Sequence, residues 1–280
     1  MKLHPKLAPL LPNSYRAYSL RGGKLFLRLR ESPQMLARAL GIYECDKTEA
    51  IISLLRPGMT FVDVGVNKGD FSILGSTLVG QSGKVLCFEP EPENCYWIRR
   101  SIELNGYTNI SLFELALSDV NGDAQLYLGR KSGWHTLIPC QAGCDAGIIM
   151  VRRRTLDDFL EDICQDRVDM IKIDVEGAEL QVLRGAARTL SRNKEIVLLI
   201  DVHPRLGVAA KEVCDFLNED GFTIYQMRKP FDLPVDSFTD LVELLAYRAN
   251  RTQAQIPRAE NSMATNGATI NSSLAVRKNN

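Results

Sequence analysis

Apolar positions in this chain alternate between short continuous runs and stretches with helical spacing. The sharpest example is Thr60-Phe61-Val62-Asp63-Val64-Gly65-Val66-Asn67-Lys68-Gly69-Asp70-Phe71. An apolar, β-branched run gives way to a turn with two glycines, and apolar residues resume at Phe71, Ile73, Leu74 and Leu78 with helical spacing. The pattern predicts strand, tight turn and helix. Gly65 and Gly69 can take positive φ, or admit a ligand close to the backbone. The helix that follows turns unpaired N–H groups towards the turn.

The same alternation continues downstream. Lys84 to Glu89 predicts a strand ending in an acid, with Pro90 and Pro92 in the loop after it. Glu93 to Leu104 predicts a helix closed by Asn105-Gly106. Ile110 to Leu117 reads as one strand, Ser118 to Gly122 as its turn, and Ala124 to Leu128 as another strand. Residues 129–150 are weakly patterned and read as an insertion or flap. Thr155 is a plausible helix cap. Asp169 to Val175 predicts a strand, and Glu176-Gly177-Ala178-Glu179 turns into a helix. Glu195 to Val202 is the most apolar strand and ends at His203-Pro204. Val208 to Leu217 predicts a helix and Phe222 to Met227 a strand; Leu241 to Tyr247 fits a final strand or a short helix.

Strands separated by helices, with nearly continuous apolar strands, predict an α/β, doubly wound, mostly parallel sheet covered on both faces. The expected organisation is an extension over 1–45, a main domain over 46–249 and a disordered tail over 250–280. Leu25 to Leu40 has scattered helical spacing interrupted at Pro33, so short helices are expected in the extension, packing over one side of the main domain. A helix over Asp46 to Leu55 follows, with Ala50, Ile51, Leu54 and Leu55 on one face.

Composition narrows the class. The chain has 280 residues, 45% hydrophobic and 24% charged, which suits a globular core. Lysine plus arginine and aspartate plus glutamate both number 34, so nothing global argues for nucleic acid or an anionic membrane as partner. Seven cysteines are present without a C-x-x-C pair, and the closest, Cys140 and Cys144, lack partners for a zinc site. Reduced thiols and a cytoplasmic location are expected. The N-terminal residues hold no secretory apolar core, and no apolar run approaches the roughly 20 residues of a membrane span.

The turn has candidate chemistry. Asp63-x-Gly65-x-x-x-Gly69 is not the G-x-G-x-x-G of a dinucleotide phosphate site. An acid at the strand end repels phosphate and suits a cationic or ammonium-bearing ligand. The next strand ends in Glu89, where an acid of a doubly wound sheet accepts hydrogen bonds from ribose hydroxyls. The third ends near Ser118 and Asp119, within reach of an adenine amino group. Taken in order, an amine binder, a ribose binder and an adenine contact describe S-adenosylmethionine.

These stretches resemble the FkbM-type methyltransferases, a branch of the class I S-adenosylmethionine-dependent methyltransferases. The resemblance rests on Phe61 to Gly69, Phe88-Glu89-Pro90-Glu91-Pro92, Glu103-Leu104-Asn105, Ala116 to Gly122, Thr155-Leu156-Asp157, Ile171 to Glu179, and Asp201-Val202-His203. It spans residues 43 to 248; Lys172-x-Asp174-x-Glu176-Gly177-x-Glu179 is its most specific part, and Val66 departs from the more usual alanine. It implies a seven-stranded Rossmann-like methyltransferase fold and O-methylation of a hydroxyl on a small molecule, sugar or glycan. The cofactor set is then Asp63, Gly65, Asn67, Gly69, Glu89, Ser118 and Asp119.

A neutral hydroxyl is a poor nucleophile, so a base is needed, typically contributing about 10²–10⁴-fold. Asp174 and His203 are the catalytic candidates, with Asp201 placed by alternation to orient the imidazole. His203 also fits a capping or packing role before Pro204. Glu176 and Glu179 suit a helix's first turn, and Lys172 can pair with one of them. Trp134-His135 either contacts the acceptor or belongs to a surface loop. Asp174, Asp201 and His203 could ligate a hard divalent ion, but their spacing is not diagnostic and no metal is expected. The alternatives are a non-catalytic S-adenosylmethionine-binding protein and a nicotinamide-dependent oxidoreductase.

Overall fold

A computed structural model of the chain describes residues 10–130, 133–139, 146–206, 209–227 and 241–248. In chain order, the first elements are β1 (Arg16–Leu20), β2 (Gly23–Leu27), α1 (Pro33–Ala39) and α2 (Cys45–Leu54). Next come β3 (Thr60–Val64), α3 (Asp70–Val79), β4 (Lys84–Phe88), α4 (Pro92–Asn105), β5 (Ile110–Phe113), β6 (Ala116–Leu117), β7 (Gly122–Leu128) and β8 (Gly147–Arg154). Then follow α5 (Leu156–Asp162), β9 (Met170–Ile173), α6 (Glu179–Arg184), α7 (Ala187–Arg192), β10 (Val197–Val202), α8 (Ala210–Glu219), β11 (Phe222–Gln226) and β12 (Val242–Arg248).

The main sheet has seven strands in the order β11-β12-β10-β9-β3-β4-β5. Only β12 runs against the rest, pairing antiparallel with β10 and β11. Strand β3 is an interior strand, between β9 and β4, and is buried along its whole length. Successive connections leave it in opposite directions, to β4 and β5 on one side and to β9 and β10 on the other. Ligands of open α/β sheets bind at such a switch, beyond the carboxyl ends of the strands.

Alternation along each strand builds two cores, one per sheet face. Val62, Val64, Ile171, Ile173, Leu198 and Ile200 pack under α5, α6, α7 and α8. Phe61, Val85, Met170, Val197 and Leu199 pack under α2, α3, α4 and β2. Side-chain caps fix helix starts: Glu91 accepts from the N–H groups of Glu93 (2.9 Å) and Asn94 (2.6 Å), and Thr155 from that of Asp158 (3.1 Å).

Three expectations are corrected. Residues 16–27 form a hairpin, not short helices, because Leu25, Leu27 and Leu29 alternate into the core and Gly22-Gly23 makes the turn. Pro33 opens α1 rather than interrupting a helix. The run Ile110–Leu117 breaks at Glu114-Leu115 into β5 of the main sheet and β6 of a separate three-stranded sheet, β6-β8-β7. The end of the expected flap is β8, paired antiparallel with β7. Residues 241–247 take the strand alternative, within β12. Cys140, Cys144, Val208 and the tail from residue 250 lie outside the described residues. Among those described, Cys45, Cys87, Cys95, Cys164 and Cys214 are free thiols. No described helix is long and apolar enough to cross a membrane.

Candidate active site

The turn after β3 is shaped by what lies beside it. Gly65 has φ +75°, and a Cβ there would sit 1.8 Å from the carbonyl oxygen of Asp174. Its glycine is thus required by close packing against the end of β9. Asn67 is also left-handed, at φ +54°. That conformation aims its N–H at Glu89 Oε2, 2.8 Å away. Gly69, at φ +95°, forms the cap of α3.

Glu89 is buried where β4 ends. Its Oε1 accepts from the Glu91 N–H at 3.0 Å and the Asn94 amide at 3.4 Å. Burial pushes the carboxyl up to about 7, against the pull of these hydrogen bonds. Oε2 takes one hydrogen bond in this set, which leaves it a second lone pair.

Two clefts open over the carboxyl ends of the strands. Gly65, Asn67, Glu89, Ala116, Leu117 and His135 line the first, together with Asp174 and Glu176. Met35, Arg38, Trp134, Asp201 and His203 line the second, again with Asp174 and Glu176. They share a wall made of Asn67, Gly133, Asp174 and Glu176. The Trp134-His135 pair is divided between them. The segment carrying it is fastened to β7 by the Tyr127–Thr136 bridge.

Alternation also explains the charge beneath the clefts. Asp63, Lys172 and Asp201 each sit between two residues of the α5–α8 core, so they point to the opposite face. Lys172 Nζ donates to the Gly65 carbonyl at 3.1 Å and pairs with Asp174 Oδ2 at 3.4 Å and Asp63 Oδ1 at 3.7 Å. The expected pairing of Lys172 with Glu176 or Glu179 is replaced by this one. Asp63 also accepts from Ser72 Oγ at 2.5 Å.

Asp201 stands directly opposite Glu243 in register. Lys47 from α2 relieves that like-charge pair: its ammonium meets Asp201, Glu44 (2.7 Å) and Glu243 (3.6 Å). Burial disfavours the ammonium, but Asp201 and Glu44 lead the carboxylates that hold it charged. Asp201 is therefore committed to Lys47, and the imidazole of His203 is oriented instead by Glu179, whose Oε1 lies 2.8 Å from Nδ1. Glu179 is fully buried and also accepts from the Gly177 N–H at 2.9 Å.

On its other side, His203 Nε2 faces Glu176 Oε2 at 3.4 Å and Asp174 Oδ1 at 3.8 Å. Burial opposes the imidazolium, yet the Glu179 hydrogen bond and the Glu176 and Asp174 carboxylates lift His203 to about 9. Burial pushes Glu176 up to about 8. Asp174 is held near 2, because Lys172, Lys47 and His203 together outweigh its burial.

Of the residues singled out in the sequence, Gly65, Asn67, Glu89 and Asp174 line the first cleft, and Asp174 and His203 meet in the second. Asp63, Gly69, Ser118 and Asp119 stand outside both linings. Asp63 braces the turn from below through Lys172, and Ser118 Oγ donates to Asp119 Oδ1 at 3.1 Å, next to the lining pair Ala116-Leu117. Lys47 and Arg38 were not read from the sequence, and Glu179 was read as a helix-turn acid rather than as the partner of His203. A signal existed for Lys47: it lies on the same helical face as Ala50, Ile51 and Leu54, the one charge in an apolar stripe.

A comparison with protein families matches residues 63–224 to the methyltransferase FkbM domain. The 2-O-methyltransferase NoeI of Sinorhizobium fredii is 29% identical over 161 residues, 52% of this chain and 65% of that protein. The hexuronic acid methyltransferase AglP of Haloferax volcanii is 26% identical over 159 residues, 56% of this chain and 60% of that one. The chain thus spans less than two thirds of the length of these relatives. The crystal structure of precorrin-6y C5,15-methyltransferase from Geobacter metallireducens superposes with a TM-score of 0.46 at 13% identity, over 74% of this chain and 88% of that one. With more than half of its length inside the domain match, the chain belongs to the FkbM methyltransferase family.

Proposed function

We propose that the protein is an S-adenosylmethionine-dependent O-methyltransferase acting on a hydroxyl of a small molecule, sugar or glycan. One observation carries the reading: a cleft that suits the cofactor and a cleft rich in acid–base groups share the wall Asn67, Gly133, Asp174 and Glu176. The first cleft fits the cofactor on its own chemistry. Glu89 offers a buried acceptor for ribose hydroxyls at the strand end. Asn67 Oδ1 is buried without a hydrogen-bond partner and needs a donor. Asp63 supports the turn by holding Lys172, rather than meeting the ligand's ammonium.

S-adenosylmethionine, when bound, would supply an activated methyl, with S-adenosylhomocysteine as its leaving group. The chain's own part is to place the hydroxyl and to assist the loss of its proton. Holding reactants in line can remove about 7–11 kcal/mol of barrier at best. Asp174 and Glu176 of the shared wall and His203 beside them in the second cleft are the catalytic residues, and Glu179 is a positioning residue that fixes the ring through Nδ1. Trp134 and Gln34 line the second cleft and give it a stacking face and an amide suited to a polyhydroxylated acceptor. NoeI, a 2-O-methyltransferase, supports an oxygen acceptor, and AglP, a hexuronic acid methyltransferase, supports a sugar. Balanced net charge favours a small acceptor over nucleic acid. The free thiols suit a cytoplasmic setting.

Calorimetric titration with S-adenosylhomocysteine tests the reading. Saturable binding, weakened at least tenfold by Glu89→Ala, is the expected result. Saturable NADH binding in its place, with no response to S-adenosylhomocysteine, would overturn it in favour of an oxidoreductase.

A further inference from the structure

We infer that Asp174, Glu176 and His203 form a site for one divalent cation of the manganese class, where the wall shared by the two clefts meets the second cleft. The site deepens the methyltransferase reading, because an ion there would activate the acceptor hydroxyl. Oxygen atoms of Asp174 and Glu176 and a ring nitrogen of His203 lie within 4.8 Å of one another. The donor set differs from the one suggested by sequence: Asp201 is held by Lys47, and Glu176 takes its place.

Three observations point to a cation. His203 has the arrangement of a metal-binding imidazole, with Nδ1 held by a carboxylate at 2.8 Å and Nε2 directed at the two other ligands. The separations from Nε2, 3.4 Å to Glu176 and 3.8 Å to Asp174, exceed a usual hydrogen bond. They approach the roughly 3.1 Å expected between neighbouring ligands around an ion with bonds of about 2.2 Å. Finally, the surrounding charge is unbalanced. Asp174, Glu176, Glu179, Asp201, Glu44 and Glu243 outnumber Lys47, Lys172 and His203, and Glu179, fully buried, keeps Oε2 without a hydrogen-bond partner. Excess buried negative charge is costly unless a cation meets it.

The donor set selects the ion. Two carboxylate oxygens suit hard divalent cations, and an imidazole shifts the preference from Mg²⁺ and Ca²⁺ towards Mn²⁺. Three protein ligands leave coordination positions open to the clefts. An acceptor hydroxyl in one of them would have its pKa lowered and release its proton to water, leaving an alkoxide oxygen for the methyl. His203 is then a ligand, and its Nε2 lone pair is occupied by the ion.

The test uses the full chain, stripped with chelator and titrated with Mn²⁺. One ion per chain is expected. Glu176→Gln and His203→Gln should each weaken uptake at least tenfold, and Glu179→Gln by about 10–100-fold. Pulsed electron paramagnetic resonance of the Mn²⁺-loaded wild type should show nitrogen coupling from a single imidazole, a result that needs no variant to fold. Absence of saturable uptake, or uptake without nitrogen coupling, would overturn the site. A parallel titration with S-adenosylhomocysteine in chelator separates the two readings. Cofactor binding without Mn²⁺ uptake removes the ion alone; Mn²⁺ uptake without cofactor binding keeps the ion and removes the methyl-transfer reading.

Discussion

At the scale of single residues, the two glycines of the turn look alike in sequence and differ in kind. Gly65 has no space for a side chain, since the Asp174 carbonyl would lie 1.8 Å from its Cβ. Gly69 has ordinary contacts beginning at 3.6 Å and a positive φ alone. Gly65→Ala should therefore cost about 3 kcal/mol or more, through clash and strain together. Gly69→Ala should cost about 1–2 kcal/mol. Urea denaturation of both variants measures the difference, and equal costs would contradict it. Glu89 makes a second prediction. Burial, with the nearby Glu91 carboxylate, raises it to about 7, while two backbone N–H groups and the Asn94 amide oppose the shift. Below that pH the group holds a proton and one oxygen becomes a donor, so it accepts fewer ribose hydroxyls. Affinity for S-adenosylhomocysteine should rise from pH 6 to pH 8, by up to about tenfold per unit on the acid side. Glu89→Gln should flatten that slope; an unchanged slope would place the titrating group elsewhere.

At the scale of elements, a helix outside the family match supplies a charge the sheet cannot do without. Helix α2 inserts Lys47 between Asp201 and Glu243, which face each other across β10 and β12. Lys47→Met should cost about 3–5 kcal/mol at neutral pH, the usual cost of stripping one partner from a buried ion pair. Adding Asp201→Asn should recover part of it, as a double-mutant cycle in urea would show. The elements themselves were largely legible. Strands β3, β4, β9 and β10 were readable because each is a β-branched or apolar run, and α4 because Pro92 and Gly106 mark its ends. The hairpin was lost because Leu25, Leu27 and Leu29 fit a helix nearly as well as a strand over so short a run. The cofactor turn was visible as glycine spacing, but the role of Glu179 was not. An acid in a helix's first turn has a local explanation in the dipole, and only the fold reveals that it holds His203.

At the scale of the whole molecule, the sheet separates an apolar face from a face whose strand ends carry charge, and the clefts lie over those ends. The first described N-terminal elements contribute to this arrangement. Arg38 of α1 lines the second cleft while paired with Asp70 of α3 at 2.7 Å. At the other end, β12 is buried throughout and is the last described strand. A chain ending after Arg248 should bind S-adenosylhomocysteine within about twofold of the full chain. A larger loss would bring the tail into the site. The pairing of the two clefts across Asn67, Gly133, Asp174 and Glu176 is the central claim, and a crystal structure of the full chain with S-adenosylhomocysteine tests it most directly. The account predicts ribose hydroxyls on Glu89 and the sulfur at the shared wall, facing Asp174 and His203. A ligand seated away from Glu89, or with its sulfur turned from that wall, would contradict it.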